Sequence, residues 1–110
     1  MKTNELNGAA LDWAVAKCEG TENTWGRSRL KPYELHRGHS YSTDWAQGGP
    51  IIEREKISLF EGVNDWSAKT SIDHPLWDVR WEGPTPLTAA MRCYVASKLG
   101  DEVDVPKELA

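Results

Sequence analysis

Residues 77–100 read Trp77-Asp-Val-Arg-Trp81-Glu-Gly83-Pro-Thr85-Pro-Leu-Thr-Ala-Ala-Met-Arg-Cys-Tyr-Val-Ala-Ser-Lys-Leu-Gly100, and they change period half-way. Trp77, Val79 and Trp81 alternate with Asp78 and Arg80, the period-two pattern of a strand covered on one side. After Gly83-Pro84 the apolar residues recur at helical spacing: Leu87, Ala90, Met91, Tyr94 and Val95, with Leu99 four further on. Thr85 is positioned to cap this helix, Pro86 suits its first position, and Gly100 ends it. A one-sided strand running into an amphipathic helix predicts an α+β domain.

Upstream of this pair, Lys56–Phe60 and Trp66–Ser71 read as two more short strands. In the second, Trp66, Ala68, Thr70 and Ile72 share a face. Glu61-Gly62-Val63-Asn64-Asp65 supplies a hairpin loop, and His74-Pro75 breaks the next connection. The expected sheet is antiparallel, of about three strands, and one so small needs helices on a face.

At the N-terminus, Leu11, Ala14, Val15 and Cys18 mark a helix over about 8–19. Asn7 is its candidate cap, Leu6 and Leu11 are spaced as a hydrophobic staple, and Gly20 suits a left-handed terminus. A short middle helix follows Tyr41-Ser42-Thr43-Asp44. Ser42 or Thr43 is expected to cap it, with Asp44 in its first turn. Pro50 has no amide to donate four residues back, so a kink or a restart after Gly48-Gly49 is expected there. Residues 21–40 show no sustained period. This irregular segment is basic (Arg27, Arg29, Lys31, Arg37), whereas residues 101–110 are acidic and read as a solvated end.

The 110 residues fit one domain. A formal charge of −4 disfavours broad binding to nucleic acid or to an anionic membrane. The chain has no apolar run long enough for a signal peptide or a membrane span, so the cytoplasm is the expected location. There Cys18 and Cys93 read as reduced, small hydrophobes of two helices. No phosphate-binding glycine loop, His-Glu-x-x-His, Gly-x-Ser-x-Gly or Cys-x-x-Cys is present, and no cofactor or metal is expected. His36 and His39 lack further ligands in the sequence, and His74 reads as a turn residue.

The stretches LDWAVAKCEG, YSTDWAQGGPIIERE and GPTPLTAAMRCYVASKLGDEVDVP resemble the NinX-like proteins of lambdoid phages, a domain of unknown function, from Thr3 to Pro106. The chain is also similar, more weakly, to a phage domain described as an αβα sandwich, from which Gly48-Gly49-Pro50 departs. The resemblance implies a phage protein made in the host cytoplasm. Genes of the group lie among small accessory genes, in neighbourhoods that often hold proteins blunting host defences. It supplies no catalytic residues.

One segment has the composition of a site. Tyr41, Ser42, Thr43, Asp44, Trp45, Gln47, Gly48 and Gly49 put two rings, two hydroxyls, a carboxylate and an amide within nine residues. A planar ligand could stack on Trp45 or Tyr41 while Asp44 and Gln47 read its edge. Gly48 and Gly49 would admit close backbone approach. Helix starts near Thr43 and Thr85 offer amides to an anion such as phosphate. The same residues also have structural uses as caps and core. A glycine pair costs a helix roughly 0.5–1 kcal/mol per residue against Ala, which favours a ligand role.

These features favour a non-enzymatic binder of a small nucleotide-like or phosphorylated molecule, in a phage setting a sponge for a host immune signal. The alternative is an adaptor docking on a host or phage protein, since six Trp exceed what a small core needs and Trp anchors interfaces. Nucleic-acid binding through 27–37, with stacking on Trp25 or Tyr33, is disfavoured by the net charge. A hydrolase built on Asp44 and a histidine has the least support. A homodimer is compatible with so limited a core.

Overall fold

The computed structural model describes residues 1–20, 40–70, 80–107 and 109. They form three helices and a three-stranded sheet: α1 (Gly8–Cys18), α2 (Trp45–Glu55), β1 (Ile57–Glu61), β2 (Trp66–Thr70), β3 (Trp81–Gly83) and α3 (Pro86–Leu99). The strands are antiparallel in the order β1-β2-β3. Ile57 stands opposite Thr70, Leu59 opposite Ala68, and Trp66 opposite Gly83. The α+β fold expected from the sequence is therefore present, with helices at the start, middle and end.

α3 is the middle layer. It lies across all three strands, and α1 and α2 pack against it. This explains why burial exceeds the predicted apolar stripe: Thr88, Ala89 and Cys93 are buried together with Leu87, Ala90, Met91, Tyr94 and Val95. Small residues allow neighbours to approach on both sides, and each fully buried Leu, Met or Val contributes about 1.5–3 kcal/mol. Its ends follow local chemistry. The Thr85 Oγ1 accepts the Thr88 amide at 3.1 Å, and Gly100 closes the helix at φ +88°.

The sheet's helix-facing side carries Ile57, Leu59, Ala68, Thr70, Trp66 and Trp81, as the alternation requires. Gly83 shares it for a steric reason, because a Cβ there would stand 2.6 Å from the Ala89 amide nitrogen. Here the structure corrects the third strand. It begins at Trp81 and runs to Gly83, and Arg80 precedes it. Close contact between Gly83 and α3 sets its end, and that contact has no local signature. Ile72, His74, Trp77 and Val79 lie outside the described residues.

α1 is more buried than its stripe predicts, with Ala10, Asp12, Trp13 and Ala16 joining Leu11, Ala14 and Val15. Leu6 and Leu11 are both fully buried, as a staple requires. Asn7 occupies the cap position, but its side chain accepts no amide there. Gly20 follows the helix at φ +74°.

α2 differs from expectation in two respects. Asp44, rather than Ser42 or Thr43, is the cap, accepting the Ala46 amide at 2.9 Å. The helix also continues through Pro50 to Glu55 instead of restarting after the glycines. Its far end is tied to both other helices. Arg54 grips Glu19 with two nitrogens at 3.1 and 2.6 Å, and the Tyr94 hydroxyl donates to the same carboxylate. A bidentate pair extended into a network holds its geometry better than an isolated surface pair. Burial pushes the Glu19 carboxyl up, but the Arg54 and Tyr94 bonds outweigh it and leave it below the usual range.

The segment after α3 is not simply a solvated end. The Thr3 amide donates to the Asp101 carbonyl at 2.9 Å, the Thr3 hydroxyl to Gly100 at 2.7 Å, and the Met1 ammonium to Val103 at 2.9 Å. Val103 is buried, while the side chains of Asp101, Glu102 and Asp104 remain exposed.

Candidate functional site

The turn leading into α2 is built from a distance. Asp12 of α1 accepts the buried Ser42 amide through Oδ1 at 2.9 Å. Below it, Gln47 accepts the Ser40 amide at 2.8 Å and donates to Asp44 Oδ2 at 3.2 Å. Gly48 closes the joint, since a Cβ there would lie 2.6 Å from the Tyr41 carbonyl oxygen and 2.7 Å from Leu87 Cδ2. The start of α2 therefore packs directly on the start of α3.

This packing forms a cleft of about 220 Å³ lined by Ser42, Thr43, Trp45, Thr85, Pro86 and Leu87. Both predicted helix starts thus meet at one place. Asp44 takes the Ala46 amide and Thr85 takes the Thr88 amide. The amides of Trp45 and Leu87, in the first turns, have no acceptor within their helices. Trp45 is 52% exposed, which removes it from the core and leaves its ring over the cleft. Ser42 is buried, and its Oγ is a buried side-chain oxygen without a hydrogen-bond partner among the described residues.

Other members of the predicted set have structural duties. Tyr41 is buried in the core, where burial pushes its phenol up, assisted by the charges of Glu19 and Asp12. Asp44 and Gln47 spend their hydrogen bonds on the turn. Gly48 is accounted for by contact with Tyr41 and Leu87, so the glycine pair no longer argues for a ligand as a pair. A Cβ at Gly49 would meet nothing within 4 Å among the described residues. The residues at 25–37, together with His36, His39 and His74, lie outside the described residues. Among the described residues, no three His, Cys, Asp or Glu gather as a metal would need, and no helix is long and apolar enough to cross a membrane.

Two contributors escaped the sequence reading. Asp12 sat unremarked within an apolar helix, and the Asp12–Ser42 bond spans 30 residues. Leu87 read only as core. The capping chemistry around Thr85 was the local signal that pointed to the α3 side of the cleft.

The family model described as "Bacteriophage P22, NinX" matches residues 2–98. The chain belongs to the phage P22 NinX family. That match covers α1, α2, the whole sheet and nearly all of α3, so both helix starts of the cleft fall within the NinX region. A search of curated proteins finds no match to this NinX protein.

Proposed function

We propose that this NinX-family phage protein is a non-enzymatic accessory protein that binds a small nucleotide-like, phosphorylated ligand in the cleft between the starts of α2 and α3. In the host cytoplasm it would sequester such a molecule, an immune signal being the natural target. The observation that supports this reading is the half-exposed Trp45 ring beside two helix starts, whose first-turn amides have no acceptor within their own helices. Such amides favour an oxyanion, and an exposed indole offers a stacking face. A cleft of about 220 Å³ is smaller than typical ligand pockets. It suits a phosphate group, with the remainder of the molecule resting on Trp45 outside it.

The test is a thermal-shift screen with nucleotides, cyclic nucleotides and ADP-ribose derivatives, repeated on Trp45→Ala. Ligand at about a hundred times its dissociation constant adds roughly 2.7 kcal/mol, a shift of many degrees for this size. The expected result is a shift lost in Trp45→Ala while that variant stays as stable as the parent. Gln47→Ala is a poorer probe, because it removes the bond to Ser40. A flat screen would reject the ligand reading. An exposed Trp also anchors protein interfaces, so docking on a host or phage protein is the second reading, tested by whether Trp45→Ala abolishes co-purification from infected cells.

A further inference from the structure

We propose a second binding site, for a small aromatic molecule carrying a single carboxylate or phosphate, beside β3 and centred on Arg92. A cleft of about 680 Å³ is lined there by Asn4, Asn64, Arg80, Trp81 and Arg92, with the Gly83-Pro84 backbone as part of its wall. Its volume is in the range of pockets that enclose whole small molecules. It is separate from the α2–α3 cleft and shares no lining residue with it.

Arg92 carries the argument. Its Nε donates to the Leu6 carbonyl at 2.7 Å and its Nη1 to the Glu82 carbonyl at 2.8 Å. Both acceptors are neutral. Among the described residues, Nη2 has no acceptor and no carboxylate pairs with this guanidinium, whose burial lowers its pKa. A partly desolvated cation without a counter-ion is unfavourable, and an incoming oxyanion relieves that cost. Two carbonyls already hold the group in place, so little ordering is left for binding to supply.

The surroundings narrow the ligand. Trp81 presents a half-buried ring on β3. Arg80 lies 4.0 Å from the Phe60 ring centroid and adds a second cation to the rim. Asn4 and Asn64 offer amides to a polar edge. Asp65 and Glu82 also border the cleft, and their charges disfavour a polyanion. One oxyanion on one ring fits this balance, and a nucleic-acid backbone does not.

Phenyl phosphate, benzoate and inorganic phosphate would be titrated into the isotopically labelled full chain, following Arg92 Nε–Hε and the indole resonances. Saturable shifts at Arg92 and Trp81 with phenyl phosphate or benzoate, weaker with inorganic phosphate, are expected. Shifts confined to the Trp45 indole would support the α2–α3 cleft and overturn this site, so the two readings fail separately. Arg92→Lys should weaken binding about tenfold, about 1.4 kcal/mol. If that variant does not fold, Asn64→Ala in the exposed hairpin loop decides, with a loss of a few-fold expected. Unchanged affinity in the folded variants, or no saturable shift at Arg92, overturns the proposal.

Discussion

Replacing Gly48 and Gly49 by Ala, one at a time, should move stability in opposite directions. Both are interior positions of α2, so helix propensity alone predicts a gain of roughly 0.5–1 kcal/mol at each. At Gly49 a Cβ meets nothing within 4 Å among the described residues, and that gain should appear in full. At Gly48 it would stand 2.6 Å from the Tyr41 carbonyl oxygen and 2.7 Å from Leu87 Cδ2. Leu87 Cδ2 ends a side chain that can rotate, but the Tyr41 carbonyl belongs to a turn pinned by Asp12. Overpacking of this kind costs about 1–3 kcal/mol, which exceeds the propensity gain. Gly48→Ala should therefore lose about 1–2 kcal/mol net, and each kcal/mol corresponds to about 4–8 °C in Tm for a domain of this size. Urea and thermal unfolding of both variants measure it. Equal stabilisation of the two would refute the reasoning that α2 and α3 meet at Gly48.

Thr85→Ala should cost about 1 kcal/mol by removing the acceptor of the Thr88 amide, measurable by urea unfolding. Glu19 should show in the pH dependence. Its carboxyl is held below the usual range, so its contribution is complete above about pH 4.3 and is lost as pH falls through the folded value. The stability difference between the parent and Glu19→Gln should thus be largest near neutrality and shrink below about pH 4. Burial, reinforced by Glu19, pushes the Cys18 thiol up to about 12, and Cys93 is buried. Neither should react quickly with a thiol reagent at pH 8, and both should react on unfolding; rapid labelling of the native protein would contradict this.

The fold was legible where chemistry is local. Thr85, Pro86 and Gly100 mark the ends of α3 because capping and proline geometry act within one turn. The β1–β2 hairpin follows from alternation and its loop. The errors arise where a remote contact decides. Ser42, Thr43 and Asp44 are all good caps, but the Ser42 amide is committed to Asp12, and the cap falls to Asp44. Gly48 and Gly83 look like helix and strand breakers, yet each is required by α3 backbone or side chain that sequence spacing does not bring near. The site was half legible. Two helix starts and an aromatic residue could be named, but not that Trp45 is exposed while Tyr41 is buried. Arg92 had no signal, because a single Arg in a helix reads as solvated until Leu6 and Glu82 are placed beside it.

The clasp between Met1–Thr3 and Gly100–Val103 has a kinetic consequence. It joins segments almost the full chain apart, and closing so long a loop is favourable only once the intervening structure has formed. The hairpin and its docking on α3 need shorter closures and should dominate the transition state, with the clasp forming afterwards. A contact made late governs how fast the native state opens, not how fast it is reached. Thr3→Val, which deletes the hydroxyl bond to Gly100, should accordingly steepen escape from the native state while stopped-flow refolding keeps the parent's rate. A matching slowdown in refolding would instead put the joined ends at the start of folding.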